Sequence, residues 1–139
     1  MRPRVLCALG ATALLGAAAV AQGTGALPAL AKLEPGLWQI RDLDSAGSAP
    51  ERICISDPAM LMQLQHRNSS CSRQVISSEA ASAKVHYTCP ANGFGTTSVR
   101  VETPRLAKID TQGIMDKVPF AFRAEIRRVG PCPGNNGGR

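Results

Sequence analysis

The sequence predicts a mainly β protein: an antiparallel curved sheet or incomplete barrel of about six strands, with one short helix and two disulfides. Three observations predict it. The stretch from Cys71 to Cys89 reads as a β-hairpin with a cysteine at the base of each arm. Folding it about residue 80 sets Cys71 opposite Cys89, Arg73 opposite Tyr87 and Val75 opposite Val85. Strand side chains alternate faces, so Cys71, Val75, Ala83, Val85, Tyr87 and Cys89 share one side with Arg73 and Ser77, while Ser72, Gln74, Ile76, Lys84, His86 and Thr88 share the other. Phe120 to Val129 alternates as cleanly, with Phe120, Phe122, Ala124 and Ile126 against Ala121, Arg123, Glu125 and Arg127. Finally, four cysteines follow the N-terminal segment, an even number in a chain built for export.

That segment has the order of a secretory signal peptide. Met1-Arg2-Pro3-Arg4 is basic, Val5 to Val20 is apolar or small, and Ala19-Val20-Ala21 is a cleavage pattern, which puts the cut before Gln22. The apolar run falls short of the roughly 20 residues that span a bilayer. Removing residues 1–21 takes away Arg2 and Arg4 and lowers the formal charge of the 139-residue chain from +6 to +4. The expected location is the periplasm, with no membrane-spanning segment after cleavage.

Residues 22–32, with Gly23, Gly25 and Pro28, read as a flexible leader, and a single domain is expected over 33–132. Pro35-Gly36 is turn chemistry, and Leu37 to Leu43 is a strand. Trp38, the lone tryptophan, fits a core or sheet anchor in such a strand. The loop from Asp44 to Pro50 leads to a second strand, Glu51 to Ile55. Asp57-Pro58 starts a helix, because Asp caps and Pro at the first helical position loses only an N–H that would be orphaned. It runs to about His66 with an apolar stripe of Met60, Leu61 and Leu64, and two turns this short must lie across the sheet. After the hairpin, Pro90 to Gly95 is a turn built on Asn-Gly, Thr97 to Thr103 is a strand, and Leu106 to Thr111 is another. Gln112 to Pro119 carries no regular pattern. Residues 133–139, rich in Gly and Asn, read as a disordered tail.

Four cysteines allow three pairings. The hairpin register favours Cys71–Cys89, because a one-residue slip would unmatch the cysteines. Cys54–Cys132 is then left, a long crosslink that chain entropy makes worth roughly 4 kcal/mol. The rival pairing, Cys54–Cys71 with Cys89–Cys132, would bracket the helix instead.

Chemical motifs are sparse. His66 and His86 have no motif partner, and no C-x-x-C or H-x-x-x-H spacing offers a zinc site. No G-x-S-x-G, H-E-x-x-H or phosphate loop is present. Thiol catalysis needs an unpaired cysteine, and the mature chain leaves none over. The sequence therefore assigns no catalytic residue, no cofactor and no metal ligand, and the expectation is a non-enzyme. An enzyme would have to assemble its site from residues such as His86 and Asp57. Arg100, Arg105, Lys108, Lys117, Arg123, Arg127 and Arg128 cluster late, interrupted by Glu102, Asp110, Asp116 and Glu125, which reads as a solvated sheet face. Nucleic acid is not an expected partner, for lack of interleaved aromatics.

Leu33-Glu34-Pro35-Gly36-Leu37-Trp38 at the opening, Cys54 before the helix, Cys71, Cys89, and Arg128-Val129-Gly130-Pro131-Cys132 at the close form a set. In these residues the chain resembles the domain of unknown function 3617 family, small exported proteins of Gram-negative bacteria. The resemblance covers about residues 33–132 and implies an envelope location and a β-rich fold; it implies no activity. The function expected is a non-catalytic binding or envelope-accessory domain, whose partner is an envelope component or a small apolar ligand held on the concave face near Trp38, Phe120 and Phe122. A periplasmic inhibitor of a hydrolase is the alternative. Against lysozymes, which are basic, the domain's own basic charge argues the other way.

Overall fold

Seven segments pair into one antiparallel sheet: β1 (Gly36–Asp42), β2 (Glu51–Ile55), β3 (Ser72–Ser78), β4 (Ser82–Cys89), β5 (Gly93–Thr103), β6 (Leu106–Met115) and β7 (Val118–Gly130), in the order β2-β1-β7-β6-β5-β4-β3. The computed structural model describes residues 27–45 and 47–134. The expected signal peptide, its cleavage point and residues 135–139 lie outside the described residues. Among the described residues the strands number seven, in keeping with the about six expected, and every segment read as extended forms its own strand.

The sheet is open, and β2 and β3 are its two edges. They are consecutive in the chain, so the segment between them must cross from one edge to the other. That segment is the Pro58–His66 helix, which lies against β4, β5 and β6. Asp57 caps it, its Oδ1 accepting from the Ala59 N–H at 2.9 Å. The helix is a 3-10 helix broken at Gln63 (φ −133°, ψ 42°), and its buried residues are Leu61, Met62, Gln63, Leu64 and His66. The expected stripe is corrected by this geometry: Met62, not Met60, faces the core, since three residues per turn and a break replace the α-helical period. Burial of Leu61, Met62 and Leu64, about 1.5–3 kcal/mol each, holds a helix that would not form alone.

The covered face of the sheet carries Trp38 and Ile40, Ala83, Val85 and Tyr87, Val99 and Val101, Ala107 and Ile109, and Ala124 and Ile126. Ala29 and Leu30 pack into the same core from a 3-10 turn at Leu30–Lys32. The packed chain therefore begins inside the segment expected to be a flexible leader, whose apolar Leu27, Ala29 and Leu30 find a surface only the folded sheet provides.

Both cystines are Cys54–Cys132, with Cα atoms 5.4 Å apart, and Cys71–Cys89, with Cα atoms 4.2 Å apart. The hairpin register holds at its base, with Arg73 opposite Tyr87 and Val75 opposite Val85. A bulge at Ile76 then shifts the pairing to Ser77 opposite Lys84 and Ser78 opposite Ala83. Ser77 is thereby turned off the face it was expected to share with Val75.

β5, β6 and β7 also run further than their patterns imply. Gly93 pairs with Met115, Gly95 with Gly113, and Met115 with Val118. The span 112–119, which shows no alternation, is the continuation of two strands around a two-residue turn. Asp116 and Lys117 both take positive φ, 50° and 70°, the twist that suits a tight hairpin.

Candidate ligand-binding cleft

The paired glycines prepare the site. One row of inward positions crosses five strands as Arg73, Tyr87, Gly95, Gly113 and Phe120. A Cβ at Gly95 would overlap the Tyr87 ring and hydroxyl, and one at Gly113 would overlap the Phe94 carbonyl and press on Phe120. The bare backbone lets two rings lean inward from either side. His66 descends from the helix between them, its ring centroid 5.4 Å from Tyr87 and 6.0 Å from Phe120.

A continuous hydrogen-bond chain runs through this point. His66 Nε2 lies 3.1 Å from the Asn92 carbonyl oxygen, which only accepts, so Nε2 carries the proton. Nδ1 is then the acceptor for the Tyr87 hydroxyl at 3.1 Å. In the same core the Thr97 and Thr111 hydroxyls bond each other at 2.8 Å. The proton order is thus Tyr87 to His66 to the Asn92 carbonyl. Burial pushes the Tyr87 hydroxyl above its ordinary value of 10, and the neighbouring Thr111 hydroxyl opposes that more weakly. Beside it, Arg73 donates from Nε and Nη2 to Gln63 Oε1 at 3.0 and 2.8 Å, and Gln63 Nε2 donates to the His66 and Ser69 carbonyls. Among the described residues no buried side-chain nitrogen or oxygen lacks a partner. The network is saturated, which fits a rigid support better than a reactive group.

Two concavities open beside that support. One, about 510 Å³, lies between β1, β7 and the helix, lined by Ile40, Phe120 and Phe122 with Asp42, Glu51 and Gln65. The other, about 330 Å³, is polar and lined by His66, Arg67, Asn68, Ser69, Asn92 and Asp116 among others. Glu51 and Gln65 line both, so the two concavities are neighbours along the helix. The loop after β1 forms a wall through Ser48 and Ala49, and Asp44 pins that loop to β7. Asp44 accepts from Arg123 N at 2.7 Å, Nη2 at 2.7 Å and Nε at 3.0 Å, and those bonds hold its carboxyl below the ordinary 3.8.

Of the expected ligand face, Phe120 and Phe122 line the cleft. Trp38 does not: it is fully buried, with its indole N–H donating to the Glu34 carbonyl at 3.1 Å. Trp38 shares its face with them by alternation, but the 3-10 turn at Leu30–Lys32 adds its apolar residues to the same core cluster. Pro35, Gly36 and Trp38 do belong to another junction. Leu37 pairs with Gly130 on one side and Cys54 on the other, and Arg128 Nε donates to the Pro35 carbonyl at 2.8 Å. Gly36 has φ 150°, and a Cβ there would overlap the Gly130 carbonyl and the Arg128 side chain. The opening and closing motifs, far apart in sequence, are one corner of the sheet stapled by Cys54–Cys132.

A family model described as a protein of unknown function, DUF3617, matches residues 33–132. The chain belongs to this family. No curated protein and no solved structure matches it. The P-G-L-W and G-P-C stretches of this DUF3617 chain are therefore accounted for by strand closure, and they lie apart from the cleft. His86, on the opposite face, bonds Thr96 Oγ1 at 3.0 Å, while Asp57 is a helix cap; the fold puts them on different faces. The late basic residues also separate. Arg100, Lys108, Arg123 and Arg127 lie on the outer face, Arg105 bonds Glu34, and Arg128 turns in to Pro35. Among the described residues no group of three or more His, Cys, Asp or Glu is arranged to hold a metal ion, and no helix is long and apolar enough to cross a membrane.

Sequence reasoning missed His66, Gln63, Thr97 and Thr111 as partners. Alternation from Val99 and Ile109 reaches Thr97 and Thr111 on the core face, which was the available signal.

Proposed function

We infer that this protein is an exported periplasmic domain that binds a small ligand with an apolar body in the cleft between β1, β7 and the crossing helix. The observation that carries the reading is the half-buried pair Phe120 and Phe122, which with Ile40 forms an apolar wall open to solvent beside a saturated polar support. A groove of about 510 Å³, with polar groups facing an apolar wall, has the size of small-molecule sites. Export is supported by the basic, apolar and Ala-x-Ala order of residues 1–21 and by two cystines, which persist in oxidising compartments. Binding rather than catalysis is supported by the placement of His86 and Asp57 on different faces and by the fully bonded state of His66.

The test is calorimetric titration of the mature protein with a fluorescent naphthylamine and with short-chain alcohols, repeated on Phe122→Ala. Binding to the native protein that weakens about tenfold or more in the variant is expected, since removing a ring from a binding wall costs on the order of 1–3 kcal/mol. Equal titrations with both proteins would remove the cleft from consideration.

A further inference from the structure

We propose that the outer face of the sheet, the one turned away from the crossing helix, docks this protein on an anionic lipid surface. The proposal stands apart from the cleft, which opens on the other face. Its first observation is where the charge goes. Cross-strand register sets Lys84, Ser98, Asp110 and Arg123 in one outward row and Arg100, Lys108, Glu125 and Arg41 in the next. Arg127 and Arg52 follow, on either side of Gln39. All seven cations are exposed. The carboxylates in or bonded to these rows are four: Asp110, Glu125, Glu102 at 3.2 Å from Lys108, and Asp44 at 2.7 Å from Arg123. The rest of the described chain balances, with six Lys or Arg and six Asp or Glu. The net positive charge of the described residues therefore lies on one face. Its ion pairs use Arg41, Lys108, Arg123 and Arg127, while Lys84, Arg100 and Arg52 form none among the described residues.

The second observation is apolar. Phe94, 42% exposed, stands on the same outward face, with Ile114 paired to it on β6. Leu43, exposed to the same degree, lines a groove of about 500 Å³ on this face with Lys84, Ser98, Arg100, Lys108 and Arg123. A hydrated polyanion answers the charges alone. The interfacial layer of a bilayer answers both features: lipid phosphates meet the ammonium and guanidinium groups, and the phenyl ring enters between headgroups. A face that holds the whole charge excess is also the face that an anionic membrane turns toward itself during approach.

The experiment is co-sedimentation of the mature protein with vesicles of one part phosphatidylglycerol to three of phosphatidylcholine, and with pure phosphatidylcholine. Each is run at about 0.1 M and about 1 M salt, over which the screening length falls from about 10 to about 3 Å. Binding to the anionic vesicles at low salt is expected, with loss on neutral vesicles and at high salt. Lys84→Gln with Arg100→Gln should weaken it about tenfold. Lys32→Gln with Arg67→Gln, an equal charge change away from this face, should alter it less than about threefold. All four side chains are exposed, so neither double variant disturbs the core. Phe94→Ala should weaken binding about fivefold and leave its salt dependence unchanged. Equal loss in the two double variants, or equal binding to both kinds of vesicle, overturns the assignment of this face. Absence of binding to the anionic vesicles overturns the lipid as occupant, and retention on sodium polyphosphate would then make it a soluble polyanion. Phe122→Ala should bind vesicles as the native protein does, so failure here leaves the cleft reading standing.

Discussion

Tyr87 is the only tyrosine in the chain, which makes its environment directly measurable. Its hydroxyl is buried, donates to His66 Nδ1 and is pushed above 10 mainly by desolvation. Phenolate absorbance should therefore rise with a midpoint above 10 in the native protein and return to about 10 in urea. The linkage follows in sign. Below 10 the folded and unfolded chains hold the same proton; above it the unfolded chain loses the proton first, so stability falls as pH rises toward the folded value. Tyr87→Phe should abolish that slope and cost about 1–3 kcal/mol near neutrality, since the His66 acceptor loses its partner. Chemical denaturation reads it as a lower midpoint at unchanged slope. Asp44 gives the opposite dependence. Its carboxyl is held low by Arg123, so its contribution is present above 3.8 and is lost as pH falls through the folded value. The difference in melting temperature between native protein and Asp44→Asn should close as the pH is lowered through that range. At this scale the sequence was partly legible. Alternation placed Tyr87 on the core face, but its partner His66 is 21 residues away on another element, and no spacing rule joins them.

Among the elements, the hairpin from Cys71 to Cys89 was legible because two independent patterns agreed, and pairing follows both as far as Val75. The bulge at Ile76 was not, since an inserted residue leaves the composition of the arm unchanged. Gly95 and Gly113 hid parts of β5 and β6 for a related reason: glycine has no side chain to alternate, yet here it admits Tyr87 and Phe120. Gly95→Ala should destabilise by about 1–3 kcal/mol, the usual cost of overpacking, and should perturb the Tyr87 titration at the same time. The two cystines invite a direct comparison. Cys54 and Cys132 are separated by 78 residues and Cys71 and Cys89 by 18. Replacing the first pair by alanine should cost more than replacing the second, by roughly 1 kcal/mol on chain-entropy grounds. Paired thermal melts measure the difference.

For the molecule as a whole, the order β2-β1-β7-β6-β5-β4-β3 is a meander whose first strands return to its last. That return puts β2 and β3 at opposite edges, and the chain between them becomes a bridge across the core face. The cleft exists because this bridge covers β4, β5 and β6, meets Phe120 through the His66 ring, and leaves a groove beside β1 and β7. Loss of ligand binding on Phe122→Ala without loss of the β-type circular dichroism spectrum is expected, since the ring is only half buried.

The sequence alone determined the β architecture, the hairpin register at its base and the order of the elements, because these rest on alternation and capping, which are local. It also narrowed the cysteines to a preferred pairing. Only the tertiary structure decided that Trp38 is sealed in the core while Phe120 and Phe122 stay open, and that His66 meets Tyr87. It alone joined Pro35-Gly36 to Gly130. Those outcomes depend on which distant segment covers a given patch of the sheet, and a strand's alternation records which face a residue takes without recording what packs against it.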